Sequence, residues 1–168
     1  MFEAAVREEP EVDRYRFYLG REYLGLDRYE EAEILLRSVL ELEKVDPMGS
    51  RETRLALLQC LQNSQKPFET LLNEAIVVID ETPQEADAWY LLSLIYNNEG
   101  YHSESIEALE QALKYVDNID VNMQTSRLKG ERAKAEAILG QYYASKGPDF
   151  NETAQGWFSE SWSHLTTS

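Results

Sequence analysis

Three stretches of this chain repeat one pattern of residue size, and that repetition constrains the fold more than any other feature. Leu19-Gly20-Arg21-Glu22-Tyr23, Leu92-Ser93-Leu94-Ile95-Tyr96 and Leu139-Gly140-Gln141-Tyr142-Tyr143 each place a large residue, a small one directly after it, and tyrosine three residues on. Nine residues beyond the tyrosine comes another small residue, and an apolar one four further: Ala32 and Leu36, then Ser105 and Leu109. In the last copy a two-residue insertion around Gly147-Pro148-Asp149-Phe150-Asn151 moves these to Ala154 and Phe158. Spacings of one, three and four put these residues on one helical face, where the small side chain allows a second helix to approach closely.

The punctuation between the copies is also helical. Thr82-Pro83-Gln84-Glu85 reads as a capping box with proline at the first helical position, and Asp149-Phe150-Asn151-Glu152 as another start. Leu55-Ala56-Leu57-Leu58 and Leu71-Leu72-Ala75-Ile76-Ile79 supply two further amphipathic segments around Lys66-Pro67. A sustained period-two run of β-branched residues is missing, so the expected class is all-α.

The large–small–tyrosine spacing resembles the tetratricopeptide repeat, a helix–turn–helix unit of about 34 residues. The resemblance implies a right-handed solenoid of about four helix pairs in a single domain over 1–168, with repeats at about 13–46, 52–85, 86–119 and 133–166. Counting back about 34 residues from the third repeat sets the second, with Leu58 in the large position and Gln62 in place of the tyrosine. The out-of-phase insert 120–132 is expected to extend the following helix backwards to near 122, and the residues up to Pro47 to lengthen the second helix.

Family pattern assigns positions two, five, nine, twelve and thirteen of each repeat to a concave face. From these, the expected partner-binding residues are Arg14, Phe17, Arg21, Tyr90, Asn97, Asn98 and Gln141. The same counting places Thr53, Ala56, Cys60, Asn63 and Ser64 of the second repeat, and Asp87 of the third, on that face. Aromatics with amides and a few cations suit an extended peptide, whose backbone needs both donors and acceptors. The clamp by which some relatives grip acidic chaperone tails needs Lys, Asn and Arg where this chain has Phe17, Arg21, Leu57, Asp87 and Leu91. That specificity is not expected here. The run Tyr15-Arg16-Phe17-Tyr18-Leu19-Gly20-Arg21-Glu22-Tyr23 also looks like repeat segments attached to bacterial family-two glycosyltransferases, although no Asp-x-Asp is present.

Composition narrows the function classes. A net charge of −15, from 31 acidic and 16 basic residues, opposes binding to nucleic acid or anionic lipid. A single cysteine, Cys60, leaves no intramolecular disulfide or thiolate cluster, and its apolar neighbours make it a packing residue. No run approaches the ~18 apolar residues that cross a bilayer, and the first ten lack a signal-peptide core. A cytoplasmic location is therefore expected. His102 and His164 are read as a turn residue and a helix-end residue, and no nucleophile, phosphate-binding or metal motif appears. Trp157, Phe158 and Trp162 offer a terminal closing face or a homo-oligomer contact.

The expectation is thus a non-catalytic adaptor, without cofactor or metal, holding a protein or peptide segment in a concave groove. The alternative is an oligomerisation or substrate-presenting segment of a larger enzyme, such as a bacterial glycosyltransferase.

Overall fold

A computed structural model describes residues 13–41, 47–118 and 127–167, among which there are eight α-helices and no strand. The chain divides into two compact units, Met1–Thr82 and Pro83–Ser168.

The first unit holds α1 (Asp13–Gly25), α2 (Tyr29–Leu40), α3 (Pro47–Asn63) and α4 (Phe68–Glu81). Ala32, Leu36 and Val39 of α2, and Leu71, Ala75 and Val78 of α4, are buried at spacings of four and three. Each of these helices therefore turns one apolar stripe inward. The end of α2 departs from expectation. That helix stops at Leu40, with the Glu41 N–H bonded to the Arg37 carbonyl at 3.1 Å. Pro47 opens α3 instead of ending α2, a position where its missing N–H leaves no intrahelical bond unmade.

The second unit holds α5 (Ala86–Asn98), α6 (His102–Tyr115) with a 3-10 turn at Val116–Asn118, α7 (Arg127–Ser145), a 3-10 turn at Pro148–Phe150, and α8 (Asn151–Thr167). The capping box at Thr82 does not form. The Thr82 hydroxyl donates to the Val78 carbonyl at 2.8 Å, closing the helix before it. Helix α5 consequently starts at Ala86, and the Pro83 carbonyl accepts from the Trp89 indole at 2.8 Å. The backward extension of α7 reaches Arg127, and the expected start near 122 lies outside the described residues. Ala86, Tyr90, Leu109, Leu113, Leu128 and Leu139 belong to one buried core, with Trp89, Tyr142 and Trp157 packed on its rim.

Three of the links share one chemistry. The Arg28, Lys66 and Tyr101 N–H groups bond back to the Tyr23, Leu61 and Tyr96 carbonyls at 2.9, 3.1 and 2.9 Å. The residue before each donor is left-handed: Asp27 at φ 59°, Gln65 at 57° and Gly100 at 84°. This six-to-one bond ends a helix and turns the chain in two or three residues, so the next helix runs back along the first. Matching these turns corrects the second repeat. Leu61, not Gln62, is equivalent to Tyr96, because the turns lie 35 residues apart where back-counting assumed 34. Thr53, Ala56 and Cys60 then fall on the inner side of α3, and they are 1%, 9% and 0% exposed.

In three of the four pairs a small residue lies where the helices cross. A β-carbon on Gly20 would sit 3.1 Å from Leu36, and one on Gly140 only 2.7 Å from the Phe158 ring. In the third pair the Ser105 hydroxyl reaches the Ser93 carbonyl at 2.8 Å. Asp87, 8% exposed, accepts the Leu128 N–H at 3.2 Å and so satisfies the first turn of α7 from the neighbouring helix.

Three consequences are measurable by urea denaturation. Gly20→Leu should destabilise by about 1–3 kcal/mol, because Leu36 is fully buried and cannot yield. Gly156→Ala, in α8 with open space around it, should stabilise by about 0.5–1 kcal/mol. Asp87→Ala should cost about 1–2 kcal/mol through the lost cap, with Asp87→Asn costing less because an acceptor remains.

Candidate partner-binding faces and a buried polar cluster

On α1, spacings of three and four bring Arg14, Phe17, Tyr18 and Arg21 together. The Arg21 guanidinium carbon lies 5.8 Å from the Phe17 ring centre, and that of Arg14 lies 5.8 Å from Tyr18. The two rings are tilted at 53°, with centres 5.6 Å apart. Both arginines are exposed, Phe17 is half-buried and Tyr18 is 37% exposed. The result is a surface strip carrying two positive charges over aromatic faces, each at the outer reach of a cation–π contact.

The other expected partner residues divide by burial. Asn97, Asn98 and Gln141 are exposed, the first two in the last turn of α5 and the third on α7. Tyr90 is only 5% exposed; its ring belongs to the core, and its hydroxyl donates to the Glu131 carboxylate on α7. Leu57 and Leu91, two of the positions a carboxylate clamp would need, are 0% and 5% exposed. On α8, Phe158, Trp162 and Leu165 follow one another at spacings of four and three and are 41%, 70% and 61% exposed. Trp157 points the other way, against the core of the second unit.

An open pocket of about 480 Å³ lies at the α1–α2 turn, lined by Asp27 to Glu31 and Asn63 to Gln65. Its arginine, Arg28, is ion-paired to Glu31 and stands 4.0 Å above the Tyr23 ring. Cys60 donates its thiol to the Tyr29 carbonyl at 3.2 Å, and burial, with the charge of Glu33 added, pushes its pKa up to about 11. A thiol held that far from ionisation is a packing group, as its apolar neighbours imply. Burial, and then a hydrogen bond to Glu110, raises Tyr143 to about 12.

A cluster that the sequence does not announce lies between α7 and α8. Glu136 is 2% exposed, and its two oxygens have different partners: Oε1 accepts from Arg132 Nε at 3.0 Å, and Oε2 lies 2.6 Å from His164 Nδ1. Arg132 also grips Asp117 through Nη1 at 2.6 Å. Glu160, one turn before His164 on α8, places a carboxylate oxygen within 4.8 Å of donor atoms of both Glu136 and His164. His164 is therefore bound to a buried carboxylate instead of simply facing the end of its helix. His102, read as a turn residue, is the first residue of α6. The one sequence signal for this cluster is the Glu160–His164 spacing of four; Glu136 lies 28 residues from His164, on another helix.

Among the described residues no helix is long and apolar enough to cross a membrane. Tetratricopeptide-repeat family profiles match residues 1–47 and 86–115. No curated protein sequence matches the chain. Among solved structures, a crystal structure of MamA aligns with a TM-score of 0.70 over 98% of this chain and 85% of that one, at 19% identity. MamA 41-end from Desulfovibrio magneticus RS-1 aligns with a TM-score of 0.65 over 99% and 83%, at 23% identity. These likenesses concern the fold. The profile matches, the small-residue crossings and the recurring turn all agree: this chain carries tetratricopeptide repeats.

Proposed function

We propose that the chain is a non-catalytic interaction module that holds a segment of a partner protein. The observation that carries this reading is the arginine–aromatic strip of α1, an exposed cationic surface on a chain of net charge −15. Its chemistry suits a segment with a carboxylate beside an apolar side chain. Arginine offers a bidentate contact to the carboxylate, and Phe17 and Tyr18 offer apolar area close by. Asn97, Asn98 and Gln141 present side-chain amides to solvent in the second unit, and amides suit the backbone of an extended chain. Tyr90 contributes by packing α5 against α7, not by touching the partner.

Arg14→Ala combined with Arg21→Ala should weaken partner binding about tenfold or more while leaving thermal stability nearly unchanged, as for truncated interface arginines. The measurement is titration of the captured partner into the folded double variant, and unchanged affinity would remove the strip from the binding site.

Self-association is the second reading, favoured by the row Phe158, Trp162 and Leu165 on α8. Large apolar side chains exposed in a row along one helix face are a candidate contact surface. If that face joins two copies, Trp162→Glu should shift the molar mass measured by light scattering from dimer to monomer. A wild-type monomer at high concentration would end that reading.

A further inference from the structure

The cluster between α7 and α8 has the make-up of a metal site, and we propose that Glu136, Glu160 and His164 bind one divalent transition-metal ion of the zinc class. Two carboxylate oxygens and one imidazole nitrogen, all within 4.8 Å of one another, form a donor set that zinc and its first-row neighbours accept. The three come from two helices. Glu160 and His164 stand one turn apart on α8, the spacing that points two side chains the same way, and Glu136 faces them from α7.

The surroundings resemble a prepared site. Arg132 Nε holds Glu136 Oε1 and leaves Oε2 to face the histidine, as outer hydrogen bonds orient ligating carboxylates. The seat of α8 on α7 is fixed close by: the Ser161 hydroxyl donates to the Ala133 carbonyl at 2.7 Å, and Phe158 lies over Gly140. Charge points the same way. Arg132 is shared between Glu136 and the exposed Asp117, so the 2% exposed Glu136 has no guanidinium to itself, and Glu160 adds a second carboxylate beside it. A divalent cation would offset the carboxylate charge that Arg132 leaves uncompensated.

On binding, the Nδ1–H···Oε2 hydrogen bond breaks and the ring's proton is carried on Nε2, with solvent exchanging the protons between the two nitrogens. The neutral ring then offers Nδ1 to the ion beside Oε2, with Glu160 as third ligand and water completing the shell. Tetrahedral ligands about 2.0–2.1 Å from zinc stand about 3.3 Å apart, so the 2.6 Å contact must open slightly. His164 is the partner able to move, because its side chain is 26% exposed whereas Glu136 is held by Arg132.

The test uses the full chain without a polyhistidine tag, stripped with a chelator and returned to metal-free buffer. Zinc chloride is then titrated in competition with a chromophoric chelator. The expected result is one ion per chain with a dissociation constant of about 1 μM or tighter. It should weaken at least tenfold in Glu160→Gln and in His164→Gln and be unchanged in His102→Gln. Glu160 is exposed, so its variant keeps the fold. Imidazole nitrogen NMR on the wild-type chain needs no variant, and zinc should displace the His164 signals while leaving those of His102 in place. Failure to bind zinc, binding that survives both ligand variants, or equal displacement of the two histidines would each overturn the assignment. The partner-binding strip on α1 is untouched by any of these outcomes.

Discussion

Helix pairs of this kind depend on how closely their two members can approach. At Gly20 and Gly140 the second helix brings a side chain to a distance where even a methyl group would be crowded. Leu36 and Phe158, the residues that fill these crossings, lie 16 and 18 residues downstream. The difference is the two-residue insertion in the last turn, so both are one contact of one repeat. The close approach lets large residues on either side, such as Leu19 and Leu139, be fully covered. Packing at interior density then makes the crossing intolerant of added volume.

The turns complete what the crossings begin. A left-handed residue followed by a six-to-one hydrogen bond satisfies the last carbonyls of the first helix and reverses the chain without a long loop. Glycine adopts that conformation without strain at Gly100, whereas Asp27 and Gln65 adopt it against their side chains. Three different residues accept the same backbone geometry because the packed helices on both sides impose it. Polar groups inside the second unit follow a similar logic. Tyr90 with Glu131 and Asp87 with the Leu128 N–H join α5 to α7, and Tyr143 with Glu110 joins α6 to α7.

Two surfaces of different character result. The α1 strip is built from residues one turn apart, and it was legible in advance because helical spacing alone puts Arg14, Phe17 and Arg21 together. The second-repeat residues were misplaced by counting alone: a one-residue change in repeat length carries Thr53, Ala56 and Cys60 from the expected face to the interior. Tyr90 illustrates a further limit. Its repeat position suggests exposure, yet α7 packs over it, and no pattern within α5 reports what a later helix will cover.

The sequence by itself determined the class of structure, the pairing of helices and the crossing points, because these follow from local periodicity and from residue size at fixed spacings. The apolar neighbours of Cys60 also marked it as a packing residue, against the repeat count that put it on the concave face. Only the tertiary structure decided where α5 begins, because the Thr82 hydroxyl had two backbone groups to choose between and took the carbonyl of the helix before it. Only the tertiary structure brought Asp117, Arg132, Glu136, Glu160 and His164 into one cluster. Their spacing spans two helices and two turns, and charged side chains so far apart in sequence meet only when the crossing of α7 and α8 fixes the angle between them.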